Sequence, residues 1–397
     1  MKIIDVRTIF VNAGETVNYG TGFARSWAFV KIYTDSGITG IGEAFHSLDE
    51  LVDGAVTKYK RWLVGQDPSK ISYLWQGIYR GLRYPLGTAE LSALSAIEHA
   101  LWDIKGKVLG VPLYMLFGGP TRDYIRLAAN PYMFGNGPDG SGRNDLLACM
   151  RSLKEHGFTA AKFGVQPEGW EVMSSMEIIS ASVRRIKQIR DAFGDKIDLC
   201  LDYHGRDLNP STAIQLAHEL EPFHPLYYEE PVMSQSSEMM VEARTKITIP
   251  IAAGERAVTR ALMKDLIVKK AVHIIEPEPT ANGGLAETIK LAGIAEMFDL
   301  EVAPHQAQGP VSLMVCAHID ASINNFLIQE FNDTIKIDSP CYRDVVKGGP
   351  LINDGQLQLP EAPGLGIDID DEAAKEYPFK PYDRPIVFNM DGSVGLE

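Results

Sequence analysis

The sequence lacks the features of several protein classes. Its four cysteines are scattered over 397 residues without a Cys-x-x-Cys pair, so a disulfide framework is not expected and a reducing cytoplasm is the predicted location. No apolar run is long enough to span a membrane. Residues 1–11 alternate between apolar and polar side chains and include Asp5 and Arg7, which indicates a β-strand rather than the continuously apolar segment of a secretory leader.

Positive charge is also scarce. The chain has 38 Lys and Arg against 52 Asp and Glu, a net charge of −14 and a pI near 5.2. Nucleic acids and anionic membranes bind basic patches, so neither is expected as a partner. The composition is otherwise globular, with 45% hydrophobic and 23% charged residues. Because the length exceeds one ordinary core, we expect a large domain with a smaller one beside it.

The residue pattern changes twice along the chain. Residues 1–50 predict an antiparallel β-meander, and residues 50–118 predict helices, the clearest of which ends before Gly110. From about Tyr124, short strand-like segments alternate with helical ones, which is typical of a (β/α)8-type barrel. The eight candidate strands are Ile125–Ala129, Ala160–Phe163, Ile197–Leu201, Leu226–Tyr228, Pro250–Ala253, Val272–Ile275, Glu301–Ala303 and Leu327–Gln329.

These changes predict three parts. A capping domain is expected over residues 1–122, the barrel over 123–348, and a proline-rich segment over 349–397 that returns to the capping domain. The alternative α/β fold, an open doubly wound sheet, would carry a glycine-rich phosphate loop after its first strand. Residues 130–135, Asn-Pro-Tyr-Met-Phe-Gly, lack that spacing, so the barrel is favoured.

Three acidic residues lie at the ends of successive predicted strands. Asp202, Glu229 and Glu255 each follow a short apolar run, and they lie 27 and 26 residues apart. One strand, one helix and two short loops need about that many residues. Because the carboxyl ends of barrel strands meet at one rim, the three carboxylates are expected to converge there.

The other strand ends carry more polar side chains than a random surface would place at one rim. An active site at the carboxyl ends of the strands is therefore predicted. The side chains are Lys162 after the second strand, His204 after the third, Glu276 and Glu278 after the sixth, His305 after the seventh and Glu330 after the eighth.

Three carboxylates without cysteine form an all-oxygen set. Such a set suits a hard dication, and Mg²⁺ is the usual choice when substrate oxygens complete the coordination. A single acid at a strand end more often caps a helix or pairs with a base, but three in successive units favour a cation. A cation of this kind would bind a carboxylate substrate, and a histidine could remove the neighbouring proton. His305 is the candidate base, with Glu278 on the neighbouring strand as its partner.

Another enzyme class stays open at this point. A glycoside hydrolase also uses two barrel carboxylates, as acid and nucleophile, and Glu229 and Glu255 would then be that pair. Full activity in EDTA would favour the hydrolase. Asp202 and the His305–Glu278 pair favour metal-dependent chemistry instead.

Short motifs follow one another along nearly the whole chain, at residues 40–43 (GIGE), 100–107 (ALWDIKGK), 202–206 (DYHGR), 229–231 (EEP), 253–256 (AGER), 282–284 (NGG), 303–305 (APH) and 363–366 (PGLG). Their order and spacing resemble the enolase superfamily, mandelate racemase subgroup, and in particular its sugar-acid dehydratases of the D-galactonate type. No single motif is specific by itself. Pairing a Lys or His base with Mg²⁺ is known chemistry of that superfamily.

The resemblance implies a fold and a set of roles. The fold would be a modified TIM barrel of the (β/α)7β type, with an α+β capping domain completed by the C-terminal tail. Asp202, Glu229 and Glu255 would be the Mg²⁺ ligands. His305 would be the general base, oriented by Glu278.

The same resemblance implies the remaining roles and the reaction. His204 would help the β-hydroxyl leave, Glu330 would hydrogen-bond the carboxylate or enediolate, and Lys162 would lie near the metal-bound carboxylate. Glu230 would lie behind the ligands, and Arg206 and Arg256 would hold acids in place. The substrate would be an aldonate such as galactonate, converted to a 2-keto-3-deoxy acid, and the chain would form a homo-oligomer.

Two positions depart from the family pattern. Gly164 stands where lysine-based relatives carry a second lysine, and glycine cannot transfer protons, so dehydration by a histidine pair is favoured over racemisation. Epimerisation or cycloisomerisation of a sugar acid or lactone stays open, with His204 as the second proton carrier. Glu278 stands where the family usually has Asp, which adds one methylene to the partner of His305.

A glycine-rich segment over residues 12–24 is expected to be a loop that covers the site. Tyr19, Arg25 and His46 are the candidate substrate contacts from this part of the chain.

Overall fold

The computed structural model describes residues 1–15, 24–46, 48–81, 83–135, 145–205, 210–335, 337–381 and, near the C-terminus, 386, 388 and 391–395. Among the helices in these ranges, none has the length and apolar character needed to cross a membrane.

The N-terminal part begins with an antiparallel sheet in the order β1–β2–β3. Its strands are β1 (Ile3–Glu15), β2 (Ala24–Thr34) and β3 (Thr39–Ala44). This confirms the predicted meander. The loop expected from residue 12 begins later, because Asn12 and Glu15 still pair with Ser26 and Ala24 in the β1–β2 register.

Three helices pack with this sheet: α1 (Asp49–Leu63), α2 (Ile71–Arg80) and α3 (Thr88–Leu109). As predicted, α3 ends at Gly110, which adopts a left-handed conformation that glycine accepts without steric cost. The burial of α3 extends beyond one apolar stripe. Glu98, His99 and Asp103 are buried as well, because the helix contacts both the sheet and the barrel.

In the described part of the chain, eight parallel strands form the barrel wall in chain order. Seven described helices alternate with them, which confirms the (β/α)7β arrangement. The strands are β4 (Tyr124–Ala129), β5 (Ala160–Gly164), β6 (Asp198–Asp202), β7 (Tyr227–Glu229), β8 (Ile251–Ala253), β9 (Ile274–Ile275), β10 (Glu301–Val302) and β11 (Gln329–Phe331). The helices are α4 (Leu146–Glu155), α5 (Ser175–Phe193), α6 (Ser211–Leu220), α7 (Ser237–Lys246), α8 (Arg260–Val268), α9 (Leu285–Glu296) and α10 (Pro310–Ser322).

The ring of strands is completed at β11, which pairs with β4 on one side. On the other side it approaches β10 through an irregular segment. Val302 N donates to Asn325 O at 2.8 Å, and Leu327 N donates to Val302 O at 2.9 Å. The predicted last strand, Leu327–Gln329, was therefore placed two residues too early. As a consequence, Glu330 lies inside β11 rather than beyond its end.

The C-terminal segment contacts both parts of the molecule. A short helix, α11 (Pro340–Val345), leads into β12 (Val346–Gly348), which pairs with β15 (Ile367–Ile369). As expected for a tail that returns to the N-terminal part, Lys31 Nζ donates to Asp371 Oδ1 at 2.7 Å.

A hairpin in this segment was not predicted. Its strands, β13 (Ile352–Asn353) and β14 (Gln356–Gln358), add antiparallel to β4 of the barrel. They are too short and too polar to give a period-two pattern. The domain limits at 122 and 348 stay predictions. Short 3₁₀ helices complete the connections at Leu113–Phe117, Pro131–Phe134, Trp170–Val172, Gly194–Lys196, Glu221–Phe223, Asp333–Ile335 and Ala373–Glu376.

Candidate active site

An apolar layer fills the barrel interior, and each wall segment contributes one residue to it. Side chains alternate direction along a strand, so the residue two positions later points to the same interior, one layer nearer the carboxyl ends. We call these later positions the ring. The layer comprises Ala128, Ala160, Cys200, Tyr227, Ala252, Ile274, Ala303 and Ile328. The ring comprises Asn130, Lys162, Asp202, Glu229, Gly254, Glu276, His305 and Glu330.

Two carboxylates of the ring, and a third just beyond it, lie at the ends of adjacent strands. Asp202 and Glu229 are direct partners in the β6–β7 register, and Glu255 follows the next strand, β8. Glycine precedes it because a Cβ at Gly254 would lie 2.9 Å from the backbone nitrogen of Glu276. The structure therefore brings the three predicted ligands to neighbouring strand ends.

Each of these carboxylates faces a nitrogen at ion-pair distance. With the side chains so paired, no group of three His, Cys, Asp or Glu residues in the described ranges is arranged to hold a metal ion, and the ligand roles stay predictions. The pairs are His204 Nδ1 with Asp202 Oδ1 at 2.9 Å, Lys162 Nζ with Glu229 at 2.8 Å, and His305 Nε2 with Glu255 Oε2 at 2.9 Å.

The donor set nevertheless fits a divalent cation. Lys162 is the one permanently positive side chain of the ring, which holds four carboxylates. Oε2 of Glu276 is buried without a hydrogen-bond partner among the described residues. Burial raises the pKa of Glu276 to about 8 against the attraction of Lys162, and neighbouring acids add to the effect. A buried carboxylate needs a proton or a cation, and a hard ion such as Mg²⁺ suits oxygen donors.

His305 and Glu278 form the predicted pair. His305 Nδ1 lies 2.6 Å from Glu278 Oε2. The other oxygen of Glu278 accepts hydrogen bonds from Thr280 N at 2.8 Å and Thr280 Oγ1 at 2.6 Å. These two bonds orient the longer glutamate, so that it reaches the imidazole at a position where aspartate was expected. A carboxylate on Nδ1 leaves Nε2 as the ring atom that can exchange protons with a substrate.

The charge of His305 depends on its neighbours. Burial lowers its pKa, but the charges of Glu255 and Glu330 and the hydrogen bonds to Glu255 and Glu278 outweigh burial and raise the pKa well above its usual value. Nε2 can accept a proton only when Glu255 has another cationic partner. Binding of a cation by Glu255 would therefore free His305 Nε2 to act as a base.

His204 lies in a turn with unusual backbone angles. Its φ is +58°, and that of Glu230 is +38°, a region that costs non-glycine residues about 1–2 kcal/mol. Arg256 stabilises both residues, because its Nη2 donates to His204 O at 2.5 Å and to the Glu230 carboxylate. Ser234 Oγ donates to the same carboxylate at 2.6 Å. As predicted, Arg256 holds an acid in place, and it also supports the histidine.

Lys162 and Glu330, two members of the ring, form an ion pair. Lys162 Nζ donates to Glu330 Oε2 at 3.0 Å, and the backbone N of Gln306 donates to the same oxygen at 3.1 Å. Burial lowers the pKa of Lys162, but Glu229, Glu330 and Glu276 outweigh it and raise that pKa well above its usual value. Lys162 therefore stays charged, which suits it to bind an anion and not to act as a base.

Open space lies beside Asp202. Its register partner on β5 is Gly164, and a Cβ at Gly164 would meet no described atom within 4 Å. Lysine-based relatives carry their second lysine at this position, and glycine has no side chain that could transfer a proton. His305 and His204 are therefore the candidates for proton transfer at this rim.

The predicted substrate contacts from the N-terminal part are only partly described. The Nδ1 atom of His46 lies 2.5 Å from Oε1 of Gln308, in the loop that follows His305. Tyr19, Arg206 and the side chain of Arg25 lie outside the described residues. The roles of Tyr19, Arg25 and His46 stay predictions.

Glu276 is the ring member to which sequence reasoning assigned no role. The signal that could have found it is the two-residue step from Ile274, which lies in the apolar layer. The same step identifies Asn130, whose side chain accepts a hydrogen bond from Tyr132 N at 3.0 Å.

The chain matches two described protein families. Residues 4–118 match the mandelate racemase / muconate lactonizing enzyme N-terminal domain, and residues 145–373 match the enolase C-terminal domain-like family.

Similar proteins and structures cover nearly the whole chain. A D-galactonate dehydratase of Ralstonia pickettii is 37% identical over 377 residues, which cover 93% of this chain and 96% of that protein. One of Xanthomonas euvesicatoria is 34% identical over 385 residues, covering 94% and 96%. An enolase from Agrobacterium radiobacter with bound Na and L-malate superposes with a TM-score of 0.87 at 28% identity, over 100% of both chains. An enolase from Pantoea ananatis with bound D-gluconate and Mg superposes with a TM-score of 0.85 at 26% identity, over 100% of both.

Proposed function

Because the chain belongs to the mandelate racemase and muconate lactonizing enzyme family of the enolase superfamily, we propose that it is a Mg²⁺-dependent dehydratase of a sugar acid. The observation that carries the proposal is a pair of histidines beside the carboxylates. His204 faces Asp202 and His305 faces Glu255. Gly164 stands where a second lysine would be. Similarity to D-galactonate dehydratases over almost the full length of both chains supports a hydro-lyase acting on an aldonate such as galactonate.

Asp202, Glu229 and Glu255 are the proposed ligands of the ion. When bound, Mg²⁺ supplies the positive charge that stabilises a substrate carboxylate as its neighbouring carbon loses a proton. The enolase from Pantoea ananatis, which holds D-gluconate and Mg, supports Mg²⁺ as the ion.

His305 takes the C2 proton at Nε2. Glu278 holds the other ring nitrogen at 2.6 Å, which sets the tautomer and favours the proton-bearing form that results. The electron pair of the broken C2–H bond is delocalised into the carboxylate as an enediolate. Lys162, which stays charged beside Glu330, is placed to donate a hydrogen bond to that anion.

His204 is the proposed acid of the elimination. The enediolate electrons form the C2–C3 double bond while the C3–O bond breaks, and His204 donates a proton so that the hydroxyl leaves as water. The enol tautomerises to a 2-keto-3-deoxy acid. Dehydration therefore needs two proton carriers, one to take the C2 proton and one to protonate the leaving group.

The test is a screen of aldonates and other acid sugars with Mg²⁺, followed by reaction with semicarbazide to detect an α-keto acid. A substrate that yields this product, and whose turnover stops in EDTA, would support the proposal. Conversion to an epimer or lactone isomer without α-keto acid would overturn dehydration in favour of the epimerase or cycloisomerase. Glycoside cleavage that persists in EDTA would overturn it in favour of a hydrolase. The cytoplasmic location and the homo-oligomer stay predictions.

A further inference from the structure

Two consecutive barrel helices, α9 and α10, have glycine as the N-cap residue. The N-cap residues of α9 and α10 are Gly284 and Gly309, and glycine has no side-chain acceptor for the free N–H groups of a first helical turn. By contrast, α7 and α8 begin after Ser236 and Thr259, whose hydroxyls accept a backbone N–H of their own helix.

A carboxylate from the N-terminal part caps α9. Glu98 of α3 accepts hydrogen bonds from Leu285 N at 2.9 Å and Ala286 N at 3.0 Å. The side chain is buried, and its oxygens accept the free N–H groups at the positive end of the helix dipole. A Cβ at Gly284 would lie 2.3 Å from Oε2 of Glu98, so the glycine provides the room that the carboxylate occupies.

A second carboxylate caps α10 in the same manner. Glu43, in β3, accepts hydrogen bonds from Gly309 N at 2.6 Å and Ser312 N at 2.8 Å. It too is buried, and a Cβ at Gly309 would lie 2.3 Å from its Oε1. Two helices that follow each other along the barrel are thus capped from outside the barrel.

These helices follow the turns that carry the catalytic pair. Glu278 lies in the turn before α9, and His305 lies in the turn before α10. Further contacts fix the first of these turns, because Gly283 N donates to Ser95 Oγ at 2.9 Å and Trp75 Nε1 donates to Gly283 O at 2.7 Å. The N-terminal part therefore contacts both turns, the first through α2 and α3 and the second through β3.

We propose that Glu43 and Glu98 are positioning residues for proton abstraction, which hold His305 and Glu278 in register by capping α10 and α9 from the N-terminal part. The inference rests on the proposed function, in which His305 is the base. The His305–Glu278 distance of 2.6 Å depends on the relative position of two turns that are not adjacent in sequence. A shift of about 1 Å in such a pair is enough to lower a rate about 100-fold.

The kinetic test compares three variants of the full-length enzyme. Glu98→Gln keeps the side-chain size but turns an amide N–H toward one of the two helix N–H groups. Gly309→Ala adds a methyl group against Glu43 at a residue whose φ of −88° is ordinary. Ser174→Ala removes the hydroxyl cap of α5, a lesion of the same kind at a helix that follows Lys162 rather than the base pair.

The first two variants are expected to lower kcat about 10- to 100-fold with KM nearly unchanged, while Ser174→Ala keeps kcat within about twofold. Glu98→Asp, which restores a carboxyl group with two acceptor oxygens, should recover part of the loss. Equal kcat in Glu98→Gln, Gly309→Ala and the wild type would overturn the proposal, as would an equal loss in Ser174→Ala.

A readout without substrate separates this inference from the proposed reaction. In protein labelled with ¹⁵N-histidine, the Nδ1–H resonance of His305, identified by its loss in His305→Asn, reports the bond to Glu278. The resonance should shift or broaden in Glu98→Gln and Gly309→Ala and stay in place in Ser174→Ala. An unchanged resonance in both variants would overturn the inference even if an acid sugar is dehydrated, and a shift would support it even if none is.

Discussion

The site has two halves that are built in different ways. The carboxylates Asp202, Glu229 and Glu255 follow β6, β7 and β8, and the helices after β7 and β8 carry hydroxyl caps of their own. Glu278 and His305 follow β9 and β10, and the helices after these strands are capped by Glu98 and Glu43 from the N-terminal part. We call Asp202, Glu229 and Glu255 the metal half of the site, and Glu278 and His305 the base half.

The difference indicates which contacts each half depends on. Barrel geometry alone sets the spacing of the metal half, because neighbouring parallel strands hold their ends in register. The base half depends in addition on docking of the N-terminal part. A lesion in one half should therefore leave the other half measurable.

The largest expected effect comes from the base half. His305→Asn removes the proton acceptor, so kcat should fall by about 10⁴-fold, and C2 proton exchange in D₂O, followed by ¹H NMR, should stop. Mg²⁺ affinity, measured by calorimetry, should change little, because Asn removes a neighbour of Glu255 and no ligand. Turnover at the wild-type rate would contradict the assignment of His305 as base.

The reciprocal lesion breaks the metal half. Asp202→Asn keeps the side-chain size and removes one negative charge, so Mg²⁺ affinity should fall by about 100-fold or more. The His305 Nδ1–H resonance should keep its position, since Glu278 is untouched. Unchanged Mg²⁺ affinity would show that Asp202 is not a ligand.

His204→Asn should separate the two proton transfers within one reaction. Loss of the proton donor is expected to lower α-keto acid formation by about 100-fold, while C2 exchange in D₂O continues through His305. Semicarbazide and NMR assays on the same sample measure both. If exchange and dehydration fall together, His204 acts before the elimination step and the proposed division of roles is wrong.

The smallest effect is expected at Glu276, the ring residue that follows β9, whose neighbouring acids are Asp202, Glu255 and Glu330. Burial raises its pKa from the ordinary 4.5 to about 8, so folding takes up a proton. Its contribution to stability is complete below pH 4.5 and is lost as the pH rises toward 8. In EDTA, Glu276→Gln should remove this loss, on the order of a few kcal/mol at pH 8.

Urea unfolding of the wild type and of Glu276→Gln between pH 5 and pH 8 measures that difference. The wild-type free energy of unfolding should decline with pH more steeply than that of the variant. Parallel pH profiles would mean that Glu276 is ionised in the folded, metal-free protein.

Sequence reasoning located the metal half more completely than the base half. The near-equal spacing of Asp202, Glu229 and Glu255 is a local signal, because each strand–helix unit has a similar length. The contact of Glu278 with His305 is not a local signal, since it joins side chains that follow two different strands, 27 residues apart. The last strand was misplaced because residues 325–327 close the barrel irregularly, without the alternation that marks a strand.

By itself, the sequence determined the strand–helix alternation, the rim on which the polar strand ends gather and the family to which the chain is similar. The first two follow from periodicity and spacing, which neighbouring residues encode, and the third from the resemblance of short motifs to those of a known family. The tertiary structure alone decided which nitrogen faces each carboxylate and that Glu43 and Glu98 cap helices of the barrel. Those contacts join residues up to 269 positions apart, and no local pattern specifies such a pairing.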